Sequence, residues 1–390
     1  MLTSFKTIGI STLHPLGALL LLTLLVGCGD ASSDEVTIEE RDGVTYVTNT
    51  GTTVWDDHDA APVQFTLEQT FGADEAPEEA MLANARSIVV DDDGVVYVLD
   101  QGNNRLVAFN PDGSVRWSAG REGEGPGEFN GAFGMVGDGD GTLYVSNQRS
   151  TRIDRWTTDG TFVESVNLSE MELMGSVTSY VDSLLMLSGW ASGGLQRFHF
   201  VDPTNWMLVR TIEIDIGMDL HERFSVNAGV TPHENGFWLG HVNDYTLGYY
   251  TPDGTLQKQI ERPVVSDDLV GGVMSQDERS WSIYSGVSSP HVLSDGHLIV
   301  SSWWPVDMKN PDQHFQQSID NNTSEAVWAR AIDLFAPDGR FRGRMQWEDT
   351  NRSAAIPDMG RPHTIGPNGD LYTTASMPFP QVRRYTVSVE

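Results

Sequence analysis

Histidine is the residue type in this chain best able to do chemistry, and ten are present. His291 and His363 each follow a proline, in "PHVLSDGHLIV" and "PHTIGPNGDLYTT". Each stands just before an apolar segment ending in an Asp-Gly or Asn-Gly turn, which suggests matching places on neighbouring structural units. His241 is the best candidate for a third partner. Three protein ligands with a water in the fourth position would make a catalytic zinc site, the equipment of a metal-dependent lyase or hydrolase. Two hydrogen-bonded, half-exposed histidines shaping a rim would give the same spacing. Cys28 is the only cysteine, so no internal disulfide and no multi-thiolate metal site can form.

Other chemistry-bearing stretches reduce to turns and connectors. "DDDG" at 91–94 and "DGDG" at 138–141 invite calcium, but they lack the rest of a twelve-residue loop and its closing glutamate. Their spacing is explained by turn formation. "GREGEGPGEF" at 120–129 has the glycines of a phosphate cradle in the wrong pattern, with a proline in place of an N–H donor and three glutamates to repel the anion. Neither G-x-S-x-G nor H-E-x-x-H occurs, so nothing local assembles a nucleophile with its base. The tryptophans divide. Trp117 and Trp156 fall in strand patterns and are expected to pack between sheets, whereas Trp190, Trp303, Trp304 and Trp328 fall in or beside long loops, where aromatics either staple the loop or form a platform for a ligand.

The formal charge is −31, from 24 basic and 55 acidic residues. Such a field excludes nucleic acid and anionic lipid headgroups as partners. With only three lysines (Lys6, Lys258, Lys309), the acidity is also what a salt-tolerant organism uses for solubility.

An internal repeat supplies the elements that must position these residues. "VDDDGVVYVLDQGNNRLVAFNPDGSV" returns as "GDGDGTLYVSNQRSTRIDRWTTDGTFV", with Gly94 moving to Gly141 and Gly113 to Gly160, a period of 47 both times. Each unit reads as four strands with Asp-Gly turns after the first and third. Weaker copies follow around Gly236 and Gly254, around Gly296 and Gly339, and from Gly366 to the last residue, with a degenerate copy made of "YVDSLLMLSGW" at 180–190 and "QRFHFVDPTNWMLVRTIEI" at 196–214. The fold class is therefore all-β: a six-bladed β-propeller over residues 44–390. Its last unit lacks an outer strand, which residues 63–72 would supply, closing the ring with an N-terminal strand.

Asp100-Gln-Gly-Asn103-Asn104-Arg105-Leu106-Val-Ala-Phe109 resembles the D-x-x-N-x-R-[IL]-x-x-F core of NHL repeats, a six-bladed propeller family. The second copy keeps Arg152, Ile153 and Trp156 but has Asn147 and Ser150 for the Asp and Asn; later copies have Thr246, Ala331 and Gln381 at the place of the arginine. "GEGPGEF" resembles the link between consecutive NHL units. The resemblance makes Asp100 and Asn103 candidate ligand-binding residues. It also raises the zinc of the NHL peptidylglycine lyases, held by histidines near the channel mouth, for which His241, His291 and His363 are the available residues. Calcium is the other cofactor implied, by the six-bladed lactonases, although no local motif for their ligands is found.

At the N-terminus, Lys6, an apolar run and Leu25-Val26-Gly27-Cys28 resemble a signal peptide ending in the bacterial lipobox. That resemblance implies cleavage after residue 27, lipidation of Cys28, and an acidic tether over 28–43. Gly29 after the cysteine favours the outer membrane. The expectation is a monomer in the cell envelope, facing the periplasm or the exterior and touching the membrane through its lipid alone.

In a propeller blade the turns after the first and third strands share one face, and all of them are short here. The two turn glycines of a unit are 19, 19 and 18 residues apart in the first, second and fourth copies but 43 in the fifth. Length variation confined to one face marks that face as the binding side. A lipid-anchored binding or scaffold propeller for a protein, peptide or glycan is the reading this favours, with the metal-dependent enzyme as the alternative.

Overall fold

The computed structural model describes residues 36–390 apart from 56, 73–76, 148–151, 169–175, 190–194, 216–229, 242–244, 263–271, 275–280, 284–285, 289, 306–327, 350–358, 360 and 377–378. Cys28 and Trp190 lie outside the described residues, as do the side chains of His241, Trp304 and Trp328.

Six antiparallel sheets follow one another as blades, as the repeat implies. Blade one is Ala85–Val90, Val96–Asp100, Arg105–Phe109 and Val115–Ala119; blade two is Ala132–Gly137, Thr142–Asn147, Arg152–Thr157 and Phe162–Asn167. Blade three is Ser176–Val181, Leu184–Ser188, Leu195–Asp202 and Met207–Asp215; blade four is Val230–His233, Gly236–His241, Thr246–Tyr250 and Leu256–Glu261. In blade five the innermost strand is broken into Gly286–Val287 and His291–Val292, followed by Leu298–Pro305, Trp328–Phe335 and Phe341–Asp349. Blade six has Arg361–Ile365, Leu371–Ala375 and Gln381–Val389, and takes Val63–Phe71 as its outer strand, antiparallel from Val63↔Val389 to Phe71↔Val382. The innermost strand of blade six lies beside that of blade one, so the ring closes.

The alternation of each strand now has two destinations rather than a core and a solvent side. Val96 and Val98 enter the seam between blades six and one, whereas Tyr97 and Leu99 enter the seam between blades one and two. Each of the six seams holds one apolar cluster. Strands buried on both faces read as continuous apolar runs, which is why "VVYVL" shows little polar alternation. Each large side chain so buried contributes roughly 1.5–3 kcal/mol.

The N-terminal segment does more than close the ring. Val36–Arg41 and Val44–Asn49 form a hairpin whose second strand adds in parallel to the outer strand of blade four, Thr45↔Lys258 to Thr48↔Glu261. Val54–Trp55 then adds in parallel to the outer strand of blade five. Asn49 is fully buried between them, its Nδ2 donating to the Gly339 carbonyl at 3.1 Å and its Oδ1 accepting the Phe341 N–H at 2.9 Å. This strap corrects the expected extent of the tether, because residues 36–43 are a strand and its turn. Asp42 and Gly43 both take left-handed φ, the geometry of a tight Asp-Gly hairpin.

At the opposite end from the insertions the turns are tight, with left-handed glycines at 94, 113, 141, 160, 254, 296, 339 and 369. Blades three and four depart from this pattern: the left-handed residues are Asp182, Ser183 and Trp206 in the turns of blade three, and Glu234, not Gly236, in the first turn of blade four.

Candidate functional site

The glycine-rich stretch at 120–129 is a connector that feeds blade two. Glu128 folds back inside it, one carboxylate oxygen accepting the Gly125 N–H at 2.9 Å and the other Arg121 Nε at 2.7 Å. The Gly125 N–H and the Arg121 side chain together hold the Glu128 carboxyl below the usual carboxylate range. An N–H donor that a phosphate would need is thus engaged by the loop's own anion. Phe129 is fully buried and stacks on Trp156 at 5.6 Å. A Cβ on Gly120 would sit 2.3 Å from that phenyl ring, so the turn requires glycine.

Asp100 and Asn103 do come together, around an internal clamp. Asp100 is fully buried; its Oδ1 accepts the backbone N–H groups of Ala83 and Asn84 at 3.0 Å each, and its Oδ2 accepts Asn103 Nδ2 at 2.7 Å and Arg105 Nε at 3.1 Å. Arg105 continues to the carbonyls of Glu79 and Met81. The four bonds occupy the carboxylate's acceptor sites. The triplet therefore ties the loop after the second strand to the link feeding blade one.

Blade two repeats the clamp with different residues. Arg152 donates to the carbonyls of Glu124, Gly125 and Glu128 in the connector and, through Nε at 3.0 Å, to Asp154. Asn147 and Ser165 also donate to Asp154. Burial pushes the Asp154 carboxyl up, against the lowering effect of these donors. In blade five Asp333 stands at the corresponding place and receives Arg344 through Nε at 2.6 Å and Nη2 at 2.7 Å, Arg262 at 3.4 Å and the Tyr245 hydroxyl. Burial opposes ionisation there too, but the two guanidinium charges and the tyrosine bond bring Asp333 below its ordinary value. These aspartates were not singled out in the sequence. The available signal is an acidic residue on a third strand two places after the arginine position, in "RID" and "AID".

The histidines do not match as expected. His291 pairs with Ile299, whereas the residue at the corresponding place in blade six is Thr364, paired with Tyr372. His363 is the extra residue of a bulge between Pro362 and Thr364, so equal spacing from proline conceals a one-residue shift in register. His291 is buried on the face it shares with Ile299, toward blade six, while His363 Nε2 accepts the Ile88 N–H of blade one at 2.9 Å. His241 ends the second strand of blade four, at the place Asp100 holds in blade one. Among the described residues no three His, Cys, Asp or Glu side chains gather as a metal site would require. The acidic turns face themselves: Asp91 accepts the N–H groups of Asp93 and Val95 and the Tyr97 hydroxyl, and Asp138 accepts those of Asp140 and Thr142.

At the loop-rich mouth, Arg86 and Phe133 occupy equivalent bulges on the innermost strands of blades one and two. The guanidinium lies 3.8 Å from the centre of the phenyl ring, a cation–π contact, and both side chains are partly exposed. Trp117 and Trp156 pack in the seam between blades one and two, as expected. Trp303 is half-buried, with Arg330 opposite. Trp304 and Trp328 lie on the same pair of strands, which run eight residues each against five or six in blades one and two.

No family model matches the chain, and no curated protein matches it in sequence. Similar solved structures include a member of the DUF4221 family from Bacteroides vulgatus, at 10% identity and a TM-score of 0.54 over 84% of this chain and 99% of that one. A protein of Bacteroides fragilis described as exported aligns at 11% identity and a TM-score of 0.55, over 89% of this chain and 100% of the other. Similarity at that level establishes the propeller fold.

Proposed function

We propose that this protein is a lipid-anchored, extracytoplasmic binding propeller of NHL-like descent, held to the outer membrane through Cys28. It recognises a protein, peptide or glycan on its loop-rich face. The observation that supports this reading is the asymmetry of the ring: tight turns at one end, and at the other the lengthened strands of blade five and the Arg86–Phe133 pair. Aromatic and arginine side chains on a partly exposed surface are those that dominate binding energy at interfaces. The lipobox spacing at 25–28 supports the anchor.

The test pairs Trp303→Ala with Trp304→Ala in one variant and measures melting together with binding to a glycan array and to envelope proteins. A binding platform loses its ligand, at a cost of about 2 kcal/mol or more, and melts near the parent. A variant that melts far below the parent while keeping every interaction refutes the platform.

A further inference from the structure

The strap determines where the chain leaves the ring. Val36 pairs with Asn49, whose side chain is buried between the outer strands of blades four and five, and Val36 itself packs on the apolar cluster of that seam. The first described residue therefore lies on the rim, at the boundary of those two blades, rather than on either face. It is also pinned there. Val47 is 1% exposed and Asn49 fully buried, and four ladder pairs join the hairpin to blade four. Peeling the strap away would expose both side chains and break that ladder.

Pinning the strap leaves only a short tether. Eight residues separate Cys28 from Val36, a reach of at most about 28 Å when fully extended. Without the strap the first anchored strand would be Val63–Phe71, and the free chain before it could reach about 120 Å. A compact chain of this length is about 50 Å across, so the longer tether would let any side of the ring meet the bilayer, whereas the shorter one cannot pass around it. In a ring of six, blade one stands opposite blade four. The net charge of −31 further opposes laying either face flat on anionic headgroups. Resting on the reading that Cys28 is lipidated, we propose that the strap orients the ring on its membrane: the rim of blades four and five is turned to the bilayer surface and blade one stands farthest from it. The loop-rich face then opens along the membrane plane and stays uncovered for its ligand.

The experiment uses the full-length acylated protein, in which the lipid occupies the only native thiol. Gln257→Cys on the outer strand of blade four and Arg116→Cys on that of blade one, both at exposed positions, each take one fluorophore. The labelled proteins are floated with phosphatidylcholine vesicles that carry a quencher on a lipid headgroup. Quenching is expected to be strong at position 257 and weak at position 116. Inserting about 30 Gly and Ser residues between Ser33 and Asp34 should abolish that difference while the protein still floats, because a flexible segment of this length lets the ring turn freely. Equal quenching at the two positions without the insertion, or stronger quenching at 116, overturns the inference and leaves the anchor standing. A difference that persists with the insertion also overturns it, since direct lipid contact rather than the tether would then set the orientation. Protein that fails to float overturns the anchor, and the inference with it.

Discussion

Blades two and five hold a buried aspartate at the same place, Asp154 opposite Val145 and Asp333 opposite Val300, and use it differently. In blade two the cation is Arg152 on the same strand, and its remaining donors go to three carbonyls of the preceding connector. The unit is local. In blade five the arginine position holds Ala331, and the cations come from the outer strand (Arg344) and from the link after blade four (Arg262), with Tyr245, just before the third strand of blade four, completing the set. The carboxylate there joins two blades. One position in a repeat can thus hold either a loop or a seam, depending on which neighbours supply the charge.

Removing the carboxylates should separate the two cases most. Asp333→Ala leaves two buried guanidiniums without their shared anion and should cost about 3–5 kcal/mol in urea unfolding. Asp154→Ala should cost about 1–3 kcal/mol, because Arg152 keeps its carbonyl acceptors. Equal losses would mean that the seam and the loop depend on their aspartates alike.

Acid should sharpen the contrast through its sign. Asp333 is held below its unfolded value, so its stabilisation is present above the ordinary aspartate range and is lost as pH falls through the folded value. Asp154 is held above its unfolded value, so the folded protein takes up the proton first, and stability falls as pH rises from the ordinary range through that raised value. Urea midpoints of the parent, Asp333→Asn and Asp154→Asn should therefore give difference curves of opposite slope. Parallel curves would place both carboxyls in one electrostatic class.

The smallest effect concerns the serines. Ser165 donates directly to Asp154, so Ser165→Ala should cost about 0.5–1.5 kcal/mol and push the Asp154 carboxyl further up. Ser302 only accepts a long contact of 3.4 Å from Arg344, which already grips Asp333 through two shorter bonds, and its replacement by Ala should change the urea midpoint little.

The ring was legible because Asp-Gly turns and apolar runs repeat at fixed spacing, and the closing strand because blade six visibly lacks one. The strap was missed although "VTIEERDGVTYVTN" carries the same hairpin signal; its acidic composition was read as a tether. Register could not be read from sequence at His363, because a bulge adds a residue without any mark in spacing. Nor could the partners of Asp333, since Tyr245 and Arg262 are 88 and 71 residues distant from it and belong to another unit.

The strap also sets the order in which the ring can be completed. Its three contacts run in the same sequence as the blades they cover: Thr45 meets Lys258, Val54 meets Arg344 and Val63 meets Val389. A chain made from its N-terminus must hold these segments idle until each distant partner exists, and pairings of such sequence separation are slow to form. Because the two orders agree, the segment can dock stepwise as blades four, five and six appear, with no loop threaded through another. Closure comes last, when Gln381–Val389 pairs with the waiting Val63–Phe71, so the ring stays open until that strand has been made.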